Sequence, residues 1–130
     1  MIEHAIAKLA TALAAQGVRR FVIAGGETSG AVVDGLIYVV GGNSSSNPPD
    51  NVVGTVEVYD PVSGDWATAA PLPANRTDLA VVSWRGRILA IGGASTFWGE
   101  TQGSVWIYDP LIDAWSEGPS MPTPRQQIEA

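Results

Sequence analysis

Cysteine is absent from this 130-residue chain, and histidine occurs once, as His4. Without cysteine there are no disulfides, no thiolate nucleophile and no cysteine zinc site, and the redox compartment is left open. One histidine near the start is too little for a histidine metal site or a Ser-His-Asp triad. Cations are scarce as well: 7 Lys and Arg stand against 13 Asp and Glu, a net charge of −6. Nucleic-acid binding needs clustered cations on the phosphates and is not expected here. No stretch approaches the ~18 apolar residues of a membrane span. The apolar segment Ala5–Ala15 is preceded by Glu3, interrupted by Lys8 and has no basic leader. It is therefore not a convincing signal peptide, and a cytoplasmic location is expected.

What the chain does have is glycine, proline and tryptophan, 15, 9 and 5 of them, and a long internal repeat. Asp34-Gly35-Leu36-Ile37-Tyr38-Val39-Val40-Gly41-Gly42 returns as Arg85-Gly86-Arg87-Ile88-Leu89-Ala90-Ile91-Gly92-Gly93, an offset of 51 (92 − 41). Tyr59-Asp60-Pro61 returns as Tyr108-Asp109-Pro110, and Trp66, Pro73 and Arg76 return as Trp115, Pro122 and Arg125, at an offset of 49 (108 − 59). Each copy carries short strand signals separated by tight turns, with Asp34-Gly35 a strong hairpin turn. The strands expected are Ala31–Val33, Leu36–Val40, Thr55–Tyr59 and Asp65–Thr68, then Leu79–Trp84, Arg87–Ile91, Ser104–Tyr108 and Ala114–Glu117. Four strands at a period near 50 make one propeller blade.

Residues 1–30 read differently. Ile2, Ile6, Leu9 and Leu13 recur at helical spacing among alanines, which predicts a helix over 2–16 that stops at Gly17. A short strand, Phe21–Ala24, and the Gly25-Gly26 turn follow. Helix, strand and glycine turn in that order suit an α/β unit more than a propeller. The expected fold is thus mainly β: two four-stranded antiparallel blades, or a partial β-propeller, preceded by one α-helix and a short strand. The expected units are 1–30, 31–75 for blade 1, 76–124 for blade 2, and 125–130 as the start of a third blade.

The repeat resembles the kelch motif, with a strand ending in Gly-Gly followed by Tyr and then Trp. That resemblance implies structural roles for Gly41, Gly42, Tyr59, Trp66, Gly92, Gly93, Tyr108 and Trp115: the glycines allow close approach of neighbouring backbones, and the rings pack within and between blades. The segment Gly17–Val33 resembles the nucleotide-binding C-terminal part of the four-carbon acid sugar kinases. It implies that Gly25, Gly26, Glu27, Thr28, Ser29 and Gly30 once formed a phosphate-contacting turn for ATP. The substrate-binding half of such a kinase is missing, and phosphoryl transfer needs charge and metal that one glycine turn does not supply. A fusion point is expected near Val32–Leu36, and unbroken similarity to one family across residues 25–45 would count against it.

The loops of the two copies differ most, and loops on rigid blades are where partners bind. Phe97-Trp98, beside Gly99 and Glu100, has no aromatic counterpart in the first copy. Phe97, Trp98 and Glu100 are therefore candidates for a partner-binding tip, with packing over the blade as the plainer reading. Asp60 and Asp109 stand in turns, as do Asp65 and Asp113, and no carboxylate pair suggests acid–base catalysis. Copper-dependent kelch oxidases need Cys, Tyr and His ligands; the missing Cys and the lone His4 exclude that chemistry. Arg76 and Arg125 are candidates for pairing with Asp60 or Asp109, or with a carboxylate near the propeller axis, with a structural ion pair or hydrogen bond as the plainer role. No metal or cofactor is expected, ATP entering only through the kinase-like segment. The expected function is a non-catalytic kelch module that binds a protein or glycan, or packs against further blades. The alternatives are a kinase remnant, or a fusion or truncated product without evolved activity. Open strand edges are expected to promote self-association.

Overall fold

Strand-forming residues alternate with turn signals from residue 29 onward, and the backbone follows that punctuation closely. The computed structural model describes residues 20–22, 29–43, 52–96 and 99–126. Nine strands occur among them: β1 (Arg20–Val22), β2 (Ser29–Val33), β3 (Leu36–Val40), β4 (Val56–Asp60), β5 (Asp65–Ala69), β6 (Ala80–Trp84), β7 (Arg87–Ile91), β8 (Val105–Asp109) and β9 (Ala114–Glu117). They form two antiparallel sheets, β1-β2-β3-β4-β5 and β6-β7-β8-β9. Strands β2–β5 are blade 1 and β6–β9 are blade 2, each expected strand appearing within one or two residues of its predicted bounds.

The predicted helix over 2–16 and the Gly25-Gly26 turn lie outside the described residues. The short strand before that turn falls at Arg20–Val22 and pairs antiparallel with β2, Arg20 opposite Ala31 and Val22 opposite Ser29. The expectation that this stretch stands apart from the blades as an α/β piece is corrected to that extent. β2 has one open edge, and the three-residue strand Arg20–Val22 extends the sheet along it by pairing backbone groups left open there.

The two blade hairpins that turn at Asp34-Gly35 and Arg85-Gly86 hold both turn residues at positive φ: 50° and 78° in the first, 49° and 74° in the second. That is the two-residue turn whose twist matches the flanking strands. Gly41 and Gly93 fill a different need. A Cβ on Gly41 would lie 2.6 Å from the Arg76 carbonyl oxygen, and one on Gly93 would lie 2.6 Å from that of Thr77. The Gly-Gly doublets are where the segment leading into the next repeat crosses the blade: Gly42 N–H donates to the Arg76 carbonyl and Gly93 N–H to the Arg125 carbonyl, both at 2.8 Å.

Period-2 alternation decides which residues meet between the blades. Ala31, Val33, Tyr38, Val40 and Val56 of blade 1 share one core cluster with Val81, Ile88, Ala90, Trp106 and Tyr108 of blade 2. Leu72 and Leu79, from the connection between blades, complete it. Burying a side chain such as Val40, Leu79 or Ile88 contributes about 1.5–3 kcal/mol. Most of the cohesion between blades therefore comes from this layer.

Candidate functional site

The blades have two ends, set by the antiparallel order of their strands. One end carries the turns Asp34-Gly35 and Arg85-Gly86 and the β4–β5 and β8–β9 turns. The other carries the long loops after Gly42 and Gly93.

At the loop end, residues 94–103 are anchored from below. Ala94 bridges to both Thr77 and Thr101. Ser95 N–H donates to the Glu100 carbonyl at 3.4 Å, and Gly99 N–H to the Thr96 carbonyl at 3.1 Å. Gln102 Nε2 donates to the Glu100 carbonyl at 3.1 Å. Glu100 is exposed at this narrow base. Phe97 and Trp98, flanked by the hydrogen-bonded Thr96 and Gly99, lie outside the described residues.

Arg76 supports the loop from the core. Its guanidinium stacks over the Trp106 ring at 4.7 Å, donates from Nη1 to the Asn75 carbonyl at 2.8 Å and reaches Gln102 Oε1 from Nη2 at 3.5 Å. Burial lowers its pKa from the ordinary value. The expected pairing with Asp60 or Asp109 does not form. Asp60 instead accepts from the Val62 N–H at 2.8 Å, and Asp109 from the Leu111 N–H at 3.0 Å. Both are local turn contacts of the kind that aspartate before proline favours. The cation near Asp109 is Arg87, at 3.6 Å and half exposed, a pair worth little in water. The hydrogen-bonded structural role was the correct half of the Arg76 expectation; the indole stack was not foreseen.

At the turn end, a cleft of about 330 Å³ opens between β2 and β6, lined by Val32, Val33, Asp34, Ser83, Trp84 and Arg85 among others. Trp84 is 49% exposed, with the Arg85 guanidinium 4.9 Å above its ring. Sequence reasoning passed over this pair. The signal was there: Trp84 aligns with Val33, an aromatic gained by one copy, which is the criterion that singled out Phe97-Trp98.

Between the blades, two side chains of blade 2, one of them braced by a third, hold the backbone N–H and C=O of one residue of blade 1, Ala70. Asp113 accepts from the Ala70 N–H at 2.9 Å, and Trp115 Nε1 donates to the Ala70 carbonyl at 2.8 Å. The Tyr108 hydroxyl donates to the same Asp113 oxygen at 2.6 Å. The Tyr108 bond and then the Ala70 N–H lower the Asp113 pKa from its ordinary 3.8. Burial, followed by the bond to Asp113, pushes the Tyr108 phenol well above its ordinary 10.0. Tyr38, whose ring lies 5.8 Å from that of Tyr108, is raised mainly by burial and then by Asp34 and Asp113. These shifts describe a structural joint.

Of the phosphate-turn candidates, Gly25–Thr28 lie outside the described residues. Ser29 and Gly30 stand in β2, between Val22 and Phe21 of β1 and Val40 and Val39 of β3. Among the described residues no group of three or more His, Asp or Glu is placed to hold a metal.

Known proteins divide along the same lines. The kelch motif matches residues 24–73 and again 75–122. The two blades are kelch repeats. Residues 1–38 match the nucleotide-binding C-terminal domain, so the kinase-like and kelch matches share residues 24–38 and the kelch match runs unbroken across 25–45. By the criterion set above, that continuity counts against a sharp junction at Val32–Leu36. Human kelch-like protein 35 is 44% identical over 64 residues, 49% of this chain and 10% of that protein. Zebrafish (Danio rerio) kelch-like ECH-associated protein 1A is 37% identical over 65 residues, 48% of this chain and 10% of that protein. The 3-oxo-tetronate kinase of Methylobacterium radiotolerans is 69% identical over 35 residues, 27% of this chain and 8% of the kinase. The chain thus spans about a tenth of the length of these relatives. The solved structure of YjhT superposes with a TM-score of 0.64 at 18% identity, over 74% of this chain and 38% of that one, a likeness of fold.

Proposed function

We propose that this chain is a non-catalytic kelch module that binds a protein partner through the loop at 94–103. The observation that carries the reading is the construction of that loop: a narrow base fixed to the core through Ala94, Gln102 and buried Arg76. Between Thr96 and Gly99 the sequence offers two large aromatics, and Glu100 adds a carboxylate, the composition of an interface anchor. A rigid base lowers the ordering cost of binding. Selection of a random displayed-peptide library on the purified chain tests it. Enriched peptides should lose binding to the Phe97→Ser/Trp98→Ser double variant. Failure to enrich, or binding indifferent to that change, would refute the loop assignment; enrichment of a glycan array instead would reassign the partner class.

A second reading rests on the 69% identity of 35 residues to a 3-oxo-tetronate kinase: a nucleotide-binding remnant at residues 1–38. Weighing against it, Ser29 and Gly30 are committed to pairing with strands on both sides. Titration with millimolar Mg-ATP discriminates, since a rise in Tm would support the remnant and an unchanged Tm would remove it.

A further inference from the structure

Asp34 and Arg85 hold the same place in the two blade hairpins, the first residue of the turn, at φ 50° and 49°. One is an anion and the other a cation, and both border the cleft of about 330 Å³ between β2 and β6. Ligand pockets run from roughly 300 to 1,000 Å³, so the cleft suits a small molecule. The two charges do not pair with each other: the one ion pair among the described residues joins Arg87 to Asp109. Among those residues the Asp34 carboxylate has no hydrogen-bond partner, and the Arg85 guanidinium touches only the Trp84 ring.

Each wall is prepared for a charged group. The indole holds the guanidinium at 4.9 Å and leaves its in-plane N–H donors free for a carboxylate. The Asp34 charge acts on the side of blade 1 that faces blade 2, where it adds to the effect of burial in raising the Tyr38 pKa. The apolar part of the lining is Val32 and Val33, 3% and 4% exposed, and the half-exposed Trp84.

These walls select a ligand class. A simple anion would meet Arg85 but be repelled by Asp34, and a simple cation would meet the reverse. A sugar ring stacks on an open aromatic face, and Arg85 takes one face of Trp84. Its neutral hydroxyls also bond to charged groups more weakly than a charged partner does. A zwitterion with an apolar body suits every wall.

We propose that this cleft binds a free α-amino acid with an apolar side chain. Its ammonium pairs with Asp34, its carboxylate with Arg85, and its side chain packs against Val32, Val33 and Trp84. The site lies at the opposite end of the blades from the 94–103 loop and is independent of the protein-partner reading.

NMR titration of the 130-residue chain with leucine tests it, read at the Trp84 indole N–H, which Trp84→Phe identifies. Leucine should shift that signal saturably. Leucine amide, which lacks the carboxylate, and N-acetyl-leucine, which lacks the ammonium, should each bind about tenfold more weakly, for the loss of one charge-assisted hydrogen bond. Asp34→Asn and Arg85→Asn each remove one charge and keep a turn that favours asparagine. Asp34→Asn should abolish the preference for leucine over N-acetyl-leucine and retain that over leucine amide; Arg85→Asn should do the opposite. No saturable shift with leucine would overturn the proposal. So would equal binding of the three ligands, uniform weakening of all three by either variant, or binding of glucose in place of leucine.

Discussion

In blade 1, Tyr59 and Trp66 pack with centroids 5.0 Å apart at 43°; in blade 2, Tyr108 and Trp115 pack at 5.1 Å and 45°. The aromatic pair is thus a property of the hairpin itself, fixed by direct opposition across β4–β5 and β8–β9. What differs is the surroundings. Tyr108 is buried and Trp115 is bonded to Ala70, whereas Trp66 is exposed. Gly64 of blade 1, at φ 78°, becomes Asp113 of blade 2, at φ 48°. Both adopt the left-handed turn, which aspartate tolerates better than most residues, but only Asp113 adds a carboxylate for the neighbouring peptide. Local sequence makes each blade, and a few positions decide whether it grips its neighbour.

The sharpest way to break this comparison is to remove the two tryptophans separately. Trp115→Ala should destabilise by about 3 kcal/mol, through lost packing and an unpaired Ala70 carbonyl. Trp66→Ala should cost about 1 kcal/mol, and equal losses in urea unfolding would contradict the asymmetry. Next comes Gly41→Ala, about 2 kcal/mol, since the Cβ meets backbone. Gly64→Ala meets nothing within 4 Å and should cost only the left-handed conformation, about 1 kcal/mol.

The pH dependence belongs to the joint in blade 2. Asp113 has a lowered pKa, so its contribution is present above the ordinary 3.8 and is lost as pH falls through the folded value below it. Tyr108 has a raised pKa, so its contribution is present below the ordinary 10.0 and is lost as pH rises above it. Tyr108→Phe should flatten both limbs of a plot of Tm against pH, and Tyr59→Phe should leave them in place. The smallest effect is Arg85→Asn: asparagine is favoured in that turn at φ 49°, but the guanidinium over Trp84, worth about 0.5 kcal/mol, is lost, so thermal unfolding should barely change.

The blades were legible because their signals are local: strand alternation, Asp34-Gly35 and its counterpart Arg85-Gly86, and the paired glycines. The pairing of Arg20–Val22 with β2 was not legible, because a three-residue strand has no period to read and its partner edge is a tertiary fact. The same holds for Arg76. Its place before a first strand suggested a carboxylate, and only the fold brings Trp106 beneath it. The clamp on Ala70 was hidden for another reason: its three members are spread over 108–115, and what they hold is a main-chain donor and acceptor that any residue could supply.

The indole N–H groups offer the most direct test that the blade joint is made as described. Hydrogen exchange followed by NMR should show the Trp115 Nε1 proton, bonded to the Ala70 carbonyl, strongly protected relative to that of Trp66. Equal exchange of the two protons would mean that the Trp115–Ala70 contact does not form, and would contradict the account of how the two blades are joined.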